Sequence, residues 1–225
     1  SPSLLPPPLS DETYQRLNLA PEAIAHFCEK WQIVELSLFG SVLRDDFCSN
    51  GDCPSDIDLL YVSAPEARYG FKFFDMQLEL EQLFKRKVDL VSKQGIQTSR
   101  NALRRTAILD SAQVIYTKDQ QSVLDIINSI DLILSYTQGI SWEAIDIRDQ
   151  DAIILRLIVI GEATKRLSAN LRECYPVVPW KQMAGLRDII VHEYDDVNLE
   201  IIRDVVELEL PSILLFLQDI YGALA

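Results

Sequence analysis

Asp56 and Asp58 alternate with the apolar residues Ile57, Leu59 and Leu60, and on a strand they would point to one face. Two carboxylates side by side repel each other unless a cation lies between them, and divalent metals carrying nucleotide phosphates meet that need. Asp89, single among the aliphatics of Val88-Asp89-Leu90-Val91, reaches the same place if its strand lies beside Ile57–Val62. Upstream, the mostly apolar run Ile33–Phe39 ends on Gly40-Ser41. Gly40 lets the backbone turn tightly, and Ser41 then opens a helix, where free N–H groups and the helix dipole attract phosphate. Three aspartates holding two Mg²⁺ ions would let one ion activate an attacking oxygen while the other stabilises departing pyrophosphate. Taken singly, Asp56 as a turn cap, Asp58 as a solvated strand end and Asp89 as an edge residue are plainer accounts. None of these explains why two acids interrupt an apolar strand. The expected chemistry is metal-dependent nucleotidyl transfer.

A second constellation lies in Leu186-Arg187-Asp188-Ile189-Ile190-Val191-His192-Glu193-Tyr194. Composition alone gives about 0.1 occurrences of Arg followed five residues on by His, and roughly 0.004 with Tyr two further on, so chance does not account for it. His moves a proton near neutrality, and Arg holds a phosphodiester and its developing charge. Attack of a ribose 2′-hydroxyl on RNA needs those two jobs and no metal. The plainer account is an Arg187 paired with nearby acids and a His192 at a helix end. Five residues of helix turn through about 500°, which sets positions 187 and 192 about 140° apart. The two meet only if Arg187 reaches round, the helix stops near Val191, or a second subunit completes the site.

The elements that must hold these groups divide in two. The first part reads α/β: a helix from Pro21, a strand at Ile33, a helix after Ser41, a strand at Ile57, a helix over Phe71–Lys85, a strand at Val88, a helix near Ile96–Leu109 and a strand at Val114. Pro21 suits the first turn of its helix. The second part is helical throughout, at about Val123–Thr137, Asp151–Leu171, Trp180–Val191 and Leu199–Tyr221, with Pro211 expected to kink the last helix. The expected divisions are 1–20, an extended or flexible arm and short helix; 21–118, the α/β domain; and 119–225, the helical domain. At 225 residues and 48% hydrophobic, the chain can bury one large core or two small ones.

The set Gly40-Ser41, Asp56-x-Asp58 and Asp89 resembles the minimal nucleotidyltransferases (MNT) of the polymerase-beta-like superfamily, over roughly Pro21–Tyr116. The resemblance implies a mixed sheet with helices, ATP as substrate, metal ligands Asp56, Asp58 and Asp89, and nucleotide contacts at Gly40, Ser41 and Arg44. The chain departs from the family pattern at Arg44-Asp45, where relatives carry Arg-Gly, and in the insert Cys48–Cys53. Ile160–Ser168, Tyr175-Pro176, Pro179-Trp180 and the Arg187 motif resemble HEPN domains, from about Val123 to Ala225. That resemblance implies an all-α bundle that dimerises for metal-independent RNA cleavage, with Arg187 and His192 as ribonuclease residues. In MNT/HEPN toxin–antitoxin pairs the MNT partner places AMP on the motif tyrosine, whose position here is Tyr194. The two resemblances together imply a fused, self-silencing pair.

Charge bears on the substrate. Residues 1–118 hold 13 Lys/Arg against 16 Asp/Glu, and residues 119–225 hold 8 against 18. The second half therefore lacks a broad electrostatic hold on RNA, which must rely on a local cleft, doubled if the chain forms a homodimer, and on Lys85-Arg86-Lys87 and Arg104-Arg105. Those basic clusters read equally as solvated helix ends. The four cysteines form no zinc set; Cys48 and Cys53 flank an Asn-Gly turn and are expected as free thiols. No leader or membrane span is visible, so a cytoplasmic location is expected. Two other functions stay open: nucleotidyl transfer to a small molecule with the helical domain as platform, and a non-catalytic nucleotide-binding module. Label from ATP ending on protein, on a diffusible compound, or on neither separates the three.

Overall fold

The computed structural model describes residues 11–17, 20–48, 54–192 and 198–224. Contacts divide the chain into two compact units, Ser1–Lys118 and Asp119–Ala225.

In the first unit the order is α1 (Asp11–Leu17), α2 (Pro21–Lys30), β1 (Ile33–Phe39), a 3₁₀ turn (Gly40–Leu43), β2 (Ile57–Ser63), α3 (Lys72–Phe84), β3 (Val88–Ser92), α4 (Lys93–Gln97), α5 (Ala102–Ser111) and β4 (Gln113–Thr117). The four strands form one mixed sheet in the order β3-β2-β1-β4, with β2 and β3 parallel and the other pairs antiparallel. Alternation along the strands gives the sheet two apolar faces. Leu36, Leu38, Ile57, Leu59, Val88 and Leu90 pack with Ile24 and Phe27 of α2 and Met76 and Leu80 of α3. Phe39 and Leu60 face the other way and pack with Ile96 of α4 and Ile108 of α5. Asp58 alternates with Ile57 and Leu59, and Asp89 with Val88 and Leu90. Both therefore belong to the face covered by α4 and α5, at its uncovered end.

Two expected helices differ. After Ser41 the chain makes a single 3₁₀ turn, closed by Arg44 N–H donating to the Ser41 carbonyl at 2.9 Å, and leaves extended at Arg44 (φ −119°, ψ 167°). The carbonyls of Val42 and Arg44, which a longer helix would offer to later N–H groups, accept instead from Arg16. The helix expected over Ile96–Leu109 is split. Ser92 caps α4 and Asn101 caps α5, each side chain accepting from a backbone N–H three residues on. The feet of the Cys48–Cys53 insert are tied: Ser55 N–H donates to the Cys48 carbonyl at 3.1 Å, and Cys48 N–H to Ser55 Oγ at 3.0 Å. Arg86 donates to the Ser55 carbonyl at 3.0 Å and stacks 4.9 Å over the Phe47 ring, so one cation of the basic trio serves this loop. Cys48 is exposed, and Cys53, the other cysteine of the insert, lies outside the described residues.

The second unit is helical: α6 (Lys118–Thr137), a 3₁₀ turn (Trp142–Ala144), α7 (Ile147–Arg166), α8 (Ala169–Cys174), α9 (Trp180–His192), α10 (Leu199–Asp204), a π-helical turn (Val205–Glu209) and α11 (Leu210–Leu224). Ile126, Ile130 and Ile133, spaced four and three apart on α6, are fully buried against Ile153, Leu157 and Ile160 of α7. Each such side chain contributes about 2 kcal/mol on burial. α7 starts four residues earlier than expected because Asp146 caps it, accepting from the N–H groups of Arg148 and Asp149. Ser168 separates α7 from α8 and is gripped by Asp119, which accepts from its N–H at 2.7 Å and its hydroxyl at 2.6 Å. Pro211 falls at the second position of α11, just after the π-helical turn. Its missing N–H leaves one carbonyl of the preceding turn without an i→i−4 donor, and the widened turn absorbs that mismatch without ending the helix. Trp180 is buried and Trp142 packs on the same core, whereas His26 of α2 is exposed. Among the described residues no helix is long and apolar enough to cross a membrane.

Candidate functional site

In the parallel β2–β3 register Asp58 lies directly beside Asp89, and in the antiparallel β1–β2 register it faces Phe39. Neighbouring strands stand about 4.8 Å apart, so the two acids start from adjacent backbone positions. Gly40, next to Phe39, closes the arrangement from above. Its φ is +77°, a left-handed conformation, and an added Cβ would overlap Asp58 Oδ2 and lie 3.1 Å from Asp58 Cγ. Only glycine allows this turn to sit on the Asp58 carboxylate. Asp56 stands one residue ahead of β2 rather than on it, and is exposed, as is Asp89; Asp58 is half-buried.

The three acids feel one another. The Asp58 carboxyl is held above the ordinary carboxylate range, first by burial, then by the charges of Asp89 and Asp56, and is partly relieved by Arg44. Arg44 itself is exposed and forks onto Asp46, with Nε to Oδ1 at 3.1 Å and Nη2 to Oδ2 at 3.3 Å. Asp46 was not among the residues singled out from sequence; its position two beyond Arg44 is the only signal it offers. As the side chains stand, no three His, Cys, Asp or Glu residues among those described converge to hold a metal ion. The donor chemistry does suit one. All three are hard oxygen ligands, and a divalent cation would offset the burial and relieve the repulsion that together raise Asp58.

The second constellation is built on the contact between α7 and α9. Gly161 of α7 is buried where α9 crosses; a Cβ there would overlap Arg187 Cβ and lie 3.2 Å from Arg187 Cα. The missing side chain brings Arg187 close against α7. Its Nε then donates to Glu162 and its Nη1 to Asp188 at 3.1 Å, while Lys165 donates to the same Asp188 oxygen. Two cations and two carboxylates alternate across the helix pair. The Asp188 carboxyl is held below its usual range by its bonds to Lys165 and Arg187. Asp188 accompanied Arg187 in the sequence reading, but Glu162 and Lys165 entered it only as part of a resemblance. α9 continues through His192, so the 187 and 192 backbone positions lie about 140° apart around its axis. The His192 side chain and the whole of Tyr194 lie outside the described residues.

Residues 22–121 match the family described as polymerase beta, nucleotidyltransferase, and residues 126–220 match the ribonuclease HepT-like family. The first match holds Gly40, Ser41, Arg44, Asp56, Asp58 and Asp89; the second holds Arg187 and His192. A putative RNase of Methanocaldococcus jannaschii is 40% identical over 98 residues, covering 42% of this chain and 81% of that protein. A probable ribonuclease HepT of Thermococcus cleftensis is 34% identical over 91 residues, covering 40% of this chain and 83% of that protein. A solved toxin–antitoxin structure with AMP-PNP is 17% identical with a TM-score of 0.34, covering 46% of this chain and 77% of that one. With such relatives spanned over most of their length, the chain belongs to the HepT-like ribonuclease family and carries a polymerase-beta nucleotidyltransferase domain ahead of that region on the same polypeptide.

Proposed function

We propose that the amino-terminal unit transfers AMP from ATP to Tyr194 and thereby silences a ribonuclease in the carboxy-terminal unit. The observation that carries this reading is the placement of Asp58 beside Asp89 beneath the Gly40 turn. The tyrosine oxygen attacks the α-phosphorus of ATP, a P–O bond to tyrosine forms, the bond to the bridging oxygen breaks, and pyrophosphate leaves. The phenolic proton passes to a neighbouring carboxylate or to water. Asp56, Asp58 and Asp89 would hold two Mg²⁺ ions, which supply positive charge for the attacking oxygen and the leaving pyrophosphate. Gly40 and Ser41 offer backbone N–H groups to phosphate, and Arg44 adds a cation at the rim.

In the ribonuclease, His192 takes the proton of a ribose 2′-hydroxyl as it attacks the adjacent phosphorus. Arg187 stabilises the charge that develops before the 5′-oxygen departs. No metal is needed for that step. AMP on Tyr194 adds bulk and a negative charge two residues beyond His192, opposing entry of an RNA phosphate. A homodimer through the helical unit would bring two copies of the segment to one cleft.

Intact mass of the purified chain before and after ATP with Mg²⁺ tests the reading, beside Asp58→Asn and Tyr194→Phe. AMP-sized additions that require both Asp58 and Tyr194 are the expected result. Label appearing on an added small molecule instead would assign the site to a diffusible acceptor. A mass that never changes, in protein not already modified as isolated, sinks the proposal.

A further inference from the structure

Helix α1 precedes the region matched to the nucleotidyltransferase family, which begins at residue 22. It is nevertheless docked: Leu17 is 3% exposed and joins the core beneath the sheet, and Thr13 is buried. One side chain of this helix acts on the nucleotide turn. Arg16 Nη1 donates to the Val42 carbonyl at 3.2 Å and to the Arg44 carbonyl at 2.9 Å. A terminal guanidinium nitrogen carries two N–H groups, so one nitrogen can serve both acceptors, and the planar group holds them at a fixed spacing.

The two carbonyls bracket the exit of the turn that starts at Gly40. From inside, the turn is closed by Arg44 N–H on the Ser41 carbonyl. From outside, it is closed by Arg16. The backbone from Ser41 to Arg44 is thus set by both, and Arg44 leaves it in an extended conformation with its guanidinium exposed and its charge felt at Asp58. A four-residue 3₁₀ turn has too little length to hold itself rigid, so its N–H groups keep their direction only while something outside grips it.

We infer that Arg16 is a positioning residue for the triphosphate: it fixes the backbone of the turn so that the N–H groups at its start, Gly40 and Ser41, and the Arg44 side chain are presented to phosphate before the nucleotide arrives. This inference rests on the nucleotidyl-transfer reading and adds to it an element lying outside the family's extent. The grip acts on binding, since the bonds Arg16 makes to the turn end on backbone carbonyls and not on the acids. Preorganised donors spare the ordering that binding would otherwise require.

The experiment uses the full chain with Arg16→Gln, Arg16→Lys and Leu17→Ala, reading KM for ATP, kcat for AMP transfer and Tm. Arg16→Gln is expected to raise KM about fivefold to twentyfold, with kcat within about twofold of the parent. Arg16→Lys keeps a cation that can donate to the carbonyls and is expected to recover part of that loss. Leu17→Ala loosens α1 from the core without removing the grip, so it should lower Tm more than Arg16→Gln while moving KM less. An unchanged KM in Arg16→Gln overturns the inference, as does a KM that merely follows Tm across the three variants. If the parent chain transfers nothing from ATP, it is the nucleotidyl-transfer reading that falls. If the parent transfers and Arg16→Gln binds ATP equally well, only the Arg16 inference falls.

Discussion

Asp58 shows how a single side chain can oppose the fold it belongs to. Burial and the nearby charges of Asp89 and Asp56 raise its proton affinity in the folded chain above that in the unfolded one. The folded state therefore binds the proton more tightly, and Asp58 detracts from stability once pH rises through the interval between the ordinary carboxylate value and the raised one. Asp58→Asn should raise Tm at neutral pH while ending nucleotidyl transfer. The gap between variant and parent should close as pH falls into the carboxylate range, because a protonated Asp58 resembles Asn. Thermal melts across pH 3.5–8 check both points, and a variant no more stable than the parent would show that Asp58 bears no net cost from its burial and its acidic neighbours. The placement of Asp58 was legible from alternation with Ile57 and Leu59. Its contact with Gly40 was not, because the pairing of Phe39 with Asp58 depends on which strands meet.

At the scale of elements, the sequence disclosed periodicity well and terminations poorly. The isoleucines of α6 announce their helix by spacing alone, and Ile33–Phe39 announces its strand. The stretch after Ser41 misleads, since Val42 and Leu43 would suit a helix. Where a longer helix would continue, the carbonyls of Val42 and Arg44 are taken by Arg16, 28 residues upstream of Arg44, and no local pattern reveals a long-range hydrogen bond. Similarly, Asn101 and Ser168 divide stretches that hydrophobic periodicity joins, because a cap is one polar atom and periodicity averages over many residues. The α7–α9 crossing allows a direct test. Gly161→Ala should cost about 1–3 kcal/mol through overlap with Arg187, and should disturb the Glu162–Arg187–Asp188–Lys165 alternation along with RNA cleavage. Urea titration together with a cleavage assay of the unmodified protein measures both; a fully stable variant would mean that the helices can part without penalty.

The whole molecule combines two cores on one chain, one around the mixed sheet and one among the helices. Their chemistries are opposed under the proposed function, which makes a prediction in cells. Asp56→Asn should leave the ribonuclease unmodified and slow growth, and adding His192→Ala to the same chain should restore it. Healthy cells carrying Asp56→Asn alone would argue strongly against an internal antitoxin. The acidic second half, with 8 Lys/Arg against 18 Asp/Glu, told from sequence that RNA could not be held by a broad basic surface. The sequence offered Arg187 paired with nearby acids as the plainer account, which the structure bears out, but it did not tell that Glu162 of α7 is one of the two carboxylates. That arrangement needs α7 laid on α9, and a sequence lists charges without their neighbours. β4 ends at Thr117 and α6 begins at Lys118, with no intervening linker. Each round of translation thus delivers one copy of each unit, in a ratio that neither gene dosage nor unequal synthesis can alter. Selective degradation of a short-lived partner, which frees one protein from another when the two are separate, is closed to such a chain. Under the proposed function the switch is instead written in covalent chemistry on the polypeptide and persists for as long as that bond does.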